Sequence, residues 1–254
     1  MTSSALQKID LLKTHLNKID EFSGLFNGQI QNIVERHKKE GGNLEYVYVE
    51  HFHNEIKGLS RLFQYLLQND ENKKYVFFPV RASIEVMLYL EYVLKLAKID
   101  GNKILKLLST DLAQSATATN EAASTGNEHP IYSTLNKIDM ANKILKTGFD
   151  LSRVKSNTKP FPNVRSLCDK SQLSLKDSQG SDIYHLYRAY SESNHLRLGN
   201  EYSISKDIDI DICWALEYFI EIYIKFYEQI INFGSFPDEF GEKLALIKKS
   251  LDIA

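Results

Sequence analysis

The chain has 254 residues, enough to bury a sizeable hydrophobic core as one large domain or two small ones. Hydrophobic residues make up 43% of it and charged residues 25%, while only 5 prolines and 12 glycines favour long helices over a turn-rich β fold. The net charge of −2 argues against non-specific coating of nucleic acid, which needs a broad cationic surface, although a local basic groove stays compatible with it.

Helical periodicity dominates the first part of the chain. Apolar residues at three- and four-residue steps predict helices over 4–39, 44–68 and 74–98, and a fourth over 102–114. Gly41-Gly42 ends the first helix and Asp100-Gly101 ends the third. Pro79 falls in the first turns of the third helix, where a missing N–H breaks no intrahelical bond.

The second part is predicted to be helical as well, with longer connections. A polar loop over 115–130 precedes a fifth helix over 131–147, and a short helix is expected at 164–170. Further helices follow over 181–197, 207–233 and 237–250. Together these elements predict an all-α protein, a single helical-bundle domain of about seven to nine helices with a long N-terminal helix. Residues 1–42 form that helix, a candidate projecting or dimer-forming element, and 43–254 form the bundle.

Location is indicated by three features. The opening MTSSALQKIDLLKTHLNK lacks the layout of a secretory signal, and Cys168 and Cys213 lack the spacing of a zinc site or a disulfide framework. The apolar segment 212–233 is long enough to cross a bilayer, but four charges recur along it as one polar stripe and would be costly in lipid. We therefore expect a cytoplasmic protein with no membrane contact, no metal and no cofactor.

The helix over 74–98 carries a charged pair on an otherwise apolar surface. Arg81 and Glu85 are four residues apart, so they share a face and are expected to form an ion pair. Charges among apolar neighbours need partners, because burial without one costs several kcal/mol. The pair is either an internal structural contact or part of a site.

Polar side chains also line one flank of the helix that contains YRAYSESNHLRLGN, which begins at Tyr187. Tyr187, Ser191 and His195 step by four residues, and Arg188 lies seven residues before His195, two turns away on nearly the same side. Glu192 is on that side too. Such a flank can hold a phosphate, transfer a proton or simply meet water.

The spacing Arg188-x6-His195 near the end of a bundle helix resembles the signature of the HEPN superfamily of small helical proteins. The Arg-x3-Glu and Tyr-x3-Ser-x3-His patterns of the two helices together are also similar to an uncharacterised bacterial family. The resemblance covers about residues 44–233. HEPN ribonucleases commonly have a small polar residue after the arginine, and this chain has Ala189 there.

The resemblance implies a metal-independent endoribonuclease of toxin or antiviral-defence type, which works as a homodimer and has a protein partner in such a system. His195 would move a proton on or off the ribose 2′-OH or the leaving oxygen during transesterification. Arg188 would stabilise charge on the phosphoryl oxygens. Tyr187 and Ser191 would position the phosphate or the histidine ring, and the dimer would supply a second histidine.

RNA contact has some support from the segment over 151–176, which holds six basic residues and one acid. Lys159 and Arg165 are the candidate substrate contacts within it, and Arg81, Glu85 and Glu192 would support the site. Phe161 lies between two prolines and is a candidate to stack on an unpaired base. The alternative is that this segment is an ordinary solvent-exposed loop, which would have the same lysine-rich composition.

Two other functions fit the same residues. A non-catalytic helical interaction or sensor module of a defence system would bury the polar groups in structural hydrogen bonds or scatter them on a convex surface. A bundle that binds a small molecule would instead enclose them in a polar pocket between helices. Isolated histidines such as His15 are expected at the surface, and His51 and His53, two apart on a helix, are expected to diverge.

Overall fold

The computed structural model describes residues 3–40, 44–69, 71–101, 103–104, 106–108, 110–111, 160–175, 178–179, 181–194, 208–234 and 236–252. Its helices are α1 (Ser3–Glu40), α2 (Glu45–Leu67), α3 (Phe77–Ile99), α4 (Val164–Lys170), α5 (Ser181–Asn194), α6 (Ile208–Phe233) and α7 (Asp238–Asp252). The described residues between 101 and 111 are helical too. Strands β1 (Ser174–Leu175) and β2 (Ser178–Gln179) pair antiparallel. The predicted all-α class with a long N-terminal helix is confirmed.

The predicted helix boundaries agree with these bounds to within three residues, except for the C-terminal end of α5, since 195–207 lie outside the described residues. The third helix begins three residues late because the chain first makes a 3-10 turn at Lys73–Tyr75. Pro79 is the third residue of α3, in the first turn as expected. The predicted loop over 115–130 and the helix over 131–147 lie outside the described residues.

Four helices make the core of the bundle. Helix α1 contacts α2, α2 contacts α3, α3 contacts α6, and α6 returns to α1, so the four close a ring around shared apolar side chains. Helix α7 packs on α1 and α6, while α4 and α5 pack on α3. The buried face of α1 consists of Ile9, Leu12, Leu16, Ile19, Phe22, Phe26, Ile30 and Val34. Helix α1 is therefore one wall of the core along this face, and a role in forming a dimer stays a prediction.

A partly buried carboxylate links three of the core helices. Asp20 of α1 accepts hydrogen bonds from Ser60 of α2 at 2.9 Å and from Tyr223 of α6 at 3.1 Å, with Gln64 as a further donor. Burial raises the pKa of Asp20, and these hydrogen bonds oppose that rise. The acid is thus held in place by donors from two neighbouring helices.

A second buried network lies one turn further along α1 and α6. The hydroxyl of Tyr227 is 2.7 Å from Ser23 Oγ and 3.0 Å from His53 Nδ1, and His53 Nε2 is 3.2 Å from Asn27 Oδ1. Burial lowers the pKa of His53 to about 3, so the imidazole is neutral. His51 is exposed while His53 is fully buried, which confirms that the two side chains diverge.

The polar stripe of α6 lies at the edge of the core, as expected for a helix with one wet side. Two of its charges pair with neighbouring helices: Glu217 lies 2.7 Å from Lys8 of α1, and Glu228 lies 2.8 Å from Lys248 of α7. Glu221 and Lys225 pair with each other along α6. In the part of the chain that the structure describes, every helix is too short or too polar to cross a membrane.

Candidate functional site

The charged pair of α3 lies at the surface of the bundle, where α5 packs against it. Arg81 Nη2 is 3.3 Å from Glu85 Oε1, and each side chain keeps 29% of its surface exposed. The predicted ion pair is therefore confirmed. Its position is half-buried rather than internal, because the flanking apolar residues face the core while these two face α5.

Tyr187 of α5 joins this pair across the helix interface. Its hydroxyl donates to Glu85 Oε1 at 2.5 Å and accepts from Arg81 Nη2 at 3.1 Å. The guanidinium carbon of Arg81 also lies 5.2 Å from the centroid of the Tyr187 ring, within the range of a cation–π contact. One phenol therefore makes a hydrogen bond with each of the two charged groups.

Protonation in this cluster follows from burial and from the two charges. Burial raises the pKa of Tyr187, the hydrogen bond to Glu85 raises it further, and Arg81 opposes the rise. Burial lowers the pKa of Arg81, but the contacts with Tyr187 and Glu85 outweigh it, so that pKa is raised. At neutral pH the phenol keeps its proton and the guanidinium its charge. Arg81 Nε has no hydrogen-bond partner within the described ranges.

Three more of the predicted site residues follow Tyr187 on α5. Ser191 Oγ donates to the backbone oxygen of Tyr187 at 2.8 Å, so the hydroxyl proton is used within the helix and its oxygen remains an acceptor. Arg188 follows Tyr187 in the sequence and is exposed. Glu192 belongs to the same helix.

Two predicted residues, His195 and Lys159, lie outside the described residues. The Arg188–His195 pair therefore stays a prediction. Arg165 is described, exposed on α4, and its guanidinium carbon lies 5.8 Å from the centroid of the Tyr184 ring of α5. The structure thus brings Arg81, Glu85 and Tyr187 together, and it places Arg165 of α4 beside Tyr184, one turn before Tyr187 on α5.

Phe161 does not stand free for a base to stack on. Its ring centroid is 4.6 Å from that of Tyr89 and 5.8 Å from that of Tyr48, in a cluster that also includes Phe52 and Tyr92. The ring therefore lies against α2 and α3. Packing with four aromatic neighbours gives Phe161 a structural role, and the predicted stacking on RNA loses its support.

Sequence reasoning missed two tyrosines beside the cluster. Tyr89 is one turn beyond Glu85 on α3, and burial together with the charge of Glu85 raises its pKa. Tyr184 is one turn before Arg188 on α5, and its ring stacks on that of Tyr187 at 6.3 Å with 19° between the planes. Continuing the four-residue step backward from Arg188 would have found Tyr184.

A groove of about 950 Å³ lies elsewhere, between α1, α6 and α7. Its walls are Gln7, Lys8, Leu11, Leu12, His15, Trp214, Glu217, Tyr218, Ile220, Glu221, Ile224, Lys225, Glu228, Lys248 and Leu251. Arg81 and Tyr187 are absent from this lining. The groove is therefore not the polar pocket that the small-molecule-binding hypothesis predicts. His15 is only 3% exposed, and its expected surface position is wrong because it belongs to the inward face of α1.

A scan against models of known protein families finds no match to this chain, and searches among curated proteins and among solved structures find none either.

Proposed function

We propose that this protein is a metal-independent endoribonuclease of toxin or antiviral-defence type, with its site on the face where α5 meets α3. The observation that carries the proposal is the convergence of Arg81, Glu85 and Tyr187 at a half-exposed position. The Arg-x3-Glu pattern of α3 and the Tyr-x3-Ser pattern of α5 are thereby joined through side chains. Glu85 and Tyr187, which make the contact, are 102 residues apart in the sequence.

The proposed chemistry is transesterification within RNA. The ribose 2′-oxygen attacks the adjacent phosphorus, the bond from phosphorus to the 5′-oxygen breaks, and the products are a cyclic phosphate and a 5′-hydroxyl. His195 accepts the 2′-OH proton or donates one to the leaving oxygen, and a second copy of the chain supplies the other histidine. Arg188 stabilises the extra charge on the phosphoryl oxygens.

Arg81, Glu85 and Tyr187 then support this site without touching the reacting atoms. Tyr187 directly precedes Arg188 in α5, so the hydrogen bonds that fix Tyr187 to α3 also fix the rotation of α5 about its axis. A fixed helix holds Arg188 toward one side, and such preorganisation is how fixed charges accelerate a reaction. Ser191, one turn on, offers an acceptor oxygen along the same flank.

A non-catalytic interaction or sensor module is the second candidate, and one observation favours it. Arg81, Glu85 and Tyr187 make hydrogen bonds to one another, as groups in a structural cross-link between helices do. If Arg81→Ala collapses the fold in a circular-dichroism melt, the main role of the cluster is to hold α3 and α5 together. If the melt is almost unchanged, the cluster is available for a site.

The experiment that tests the proposal is incubation of the purified full chain with total RNA and with tRNA, with and without EDTA. We expect cleavage that survives the chelator and falls by about 100-fold or more in both His195→Ala and Arg188→Ala. The matched control is His51→Ala, which removes an exposed histidine of α2. Absence of cleavage by the natural chain, or unchanged cleavage by either site variant, removes the nuclease proposal.

A further inference from the structure

Two arginines and two tyrosines form a continuous row across α3, α5 and α4. The guanidinium of Arg81 lies over the ring of Tyr187 at 5.2 Å, that ring stacks on Tyr184 at 6.3 Å, and the guanidinium of Arg165 lies over Tyr184 at 5.8 Å. Both cation–ring distances are within the range of a cation–π contact. The row has the two tyrosines in the middle and an arginine at each end, and both kinds of group stack on nucleobases.

The two ends of this row differ in how their polar groups are used. At the inner end, Tyr187 and Arg81 are held by hydrogen bonds to Glu85 and to each other. At the outer end, Tyr184 is only partly buried, its hydroxyl makes no hydrogen bond within the described part of the chain, and Arg165 is exposed. The ring of Tyr184 thus packs against Tyr187, and the exposed guanidinium of Arg165 and the ring of His185 lie beside it.

We infer that Tyr184 is the stacking platform for an unpaired base of RNA, and that Arg165 binds the phosphate or the exposed face of that base. This inference rests on the proposed function and names the form of its substrate. A ring held by a second ring loses little conformational freedom when a base stacks on it, and an exposed guanidinium moves aside at small cost. Every base has a π face, so the platform selects single strands over duplexes without selecting a sequence.

The position of Tyr184 on α5 suits this task. Tyr184 and Arg188 are four residues apart, which separates them by about 40° around the helix and about 6 Å along it. Ser191 lies about 20° to the other side of Tyr184. A base on Tyr184 therefore places its neighbouring phosphate beside Arg188, at a distance that one nucleotide can span, and the strand continues toward Ser191.

The test measures binding by fluorescence anisotropy with labelled 2′-O-methyl oligouridylate, which stays unpaired and lacks the 2′-OH needed for cleavage. The natural chain is compared with Tyr184→Ala, Tyr184→Leu and Tyr184→Phe. We expect the first two to bind about 5- to 150-fold more weakly, the range for stacking of one base on an aromatic ring, and Tyr184→Phe to bind within about twofold of the natural chain. Tyr184→Leu keeps most of the packing volume if the alanine variant unfolds. Tyr65→Ala, at a 61% exposed tyrosine of α2, is the matched control.

Two further binding measurements distinguish the contribution of base stacking from that of charge. Arg165→Gln should lower the slope of log affinity against log salt by about 0.7, the value for one phosphate contact on a single strand. The duplex of the oligouridylate with 2′-O-methyl oligoadenylate should bind more weakly than the single strand. Equal binding of single strand and duplex would overturn the platform.

The outcomes distinguish this inference from the function on which it rests. If the natural chain cleaves RNA but Tyr184→Ala and Tyr184→Leu bind the oligouridylate as tightly as it does, the platform is wrong and the nuclease stands. If the natural chain neither binds the oligouridylate nor cleaves RNA, both fail together.

Discussion

The hydroxyl of Tyr187 lies 2.5 Å from Glu85 Oε1, and this contact connects α5 to α3 across 102 residues of sequence. Because the same hydroxyl accepts from Arg81, its removal leaves two charged groups with one partner fewer. Hydrogen bonds to charged groups contribute more than neutral ones, although half-exposed groups regain part of the loss from water.

We predict from this contact that Tyr187→Phe lowers the free energy of unfolding by about 1 kcal/mol. Urea denaturation measures the change. Tyr184→Phe is the control, since its hydroxyl makes no hydrogen bond among the described residues, and it should stay within about 0.5 kcal/mol of the natural chain. Equal losses in the two variants would show that the Tyr187 hydroxyl is not what joins the helices.

The part of this cluster that the sequence could predict is the part within one helix. Arg81 and Glu85 are four residues apart, and helix geometry alone makes them neighbours. The contact of Tyr187 with both of them depends on how α5 packs on α3, and no local pattern specifies that packing. Helix boundaries were predictable for the same reason, since caps, prolines and glycines act locally.

The residues whose burial was misjudged share one cause. The sequence does not show which side of a helix or loop faces the core. His15 looks like an isolated polar residue in the sequence, but it falls on the inward face of α1. Phe161 looks exposed between two prolines, yet its ring packs against Tyr89. The hairpin of β1 and β2 was missed because two-residue strands have no periodicity to detect.

A second set of hydrogen bonds between distant segments lies nearer the C-terminal end of α3. Glu91 is only 7% exposed and accepts hydrogen bonds from the backbone N–H of Gln172 at 2.7 Å and from the Ser171 hydroxyl, while Lys95 Nζ lies 2.7 Å away. It therefore holds the chain just after α4, where the segment turns toward β1.

We predict that Glu91→Ala lowers the free energy of unfolding by about 2–3 kcal/mol, because a part-buried backbone N–H, a serine hydroxyl and an ammonium group lose the buried carboxylate that accepts from them. Glu217→Ala removes a carboxylate from a more exposed ion pair and should cost no more than about 1 kcal/mol. Chemical denaturation measures both, and hydrogen exchange at Gln172 should accelerate only in the Glu91 variant. Similar losses in the two variants would show that Glu91 does not hold the segment after α4 in place.

The buried histidine of α2 makes stability depend on pH. The pKa of His53 is lowered to about 3 in the folded protein from an ordinary value of 6.5. Between these values the unfolded chain binds a proton that the folded chain does not, so the free energy of unfolding falls as pH drops through this window. Burial also lowers the pKa of His15 and adds to the fall, whereas the raised pKa of Asp20 works against it above pH 3.8.

We predict that the free energy of unfolding decreases between pH 6.5 and pH 4, with His53 contributing a slope of up to about 1.4 kcal/mol per pH unit. His53→Gln removes the titrating group and should flatten the curve, even where it lowers stability at neutral pH. Urea denaturation across this range measures both proteins. Parallel curves for the two would show that His53 is not the group that titrates.

Phe161 and Tyr184 provide a final contrast, because the two aromatic residues have different roles in this account. Phe161→Ala removes a partly buried ring that packs against Tyr89 and Tyr48, so we predict a loss of about 2 kcal/mol in the free energy of unfolding, less than for a fully buried phenylalanine. Affinity for single-stranded oligouridylate should stay within about twofold of the natural chain. Denaturation and anisotropy measure the two quantities on the same preparation. A large loss of affinity in a stable, folded Phe161→Ala protein would return this ring to the RNA-binding surface and contradict its structural role.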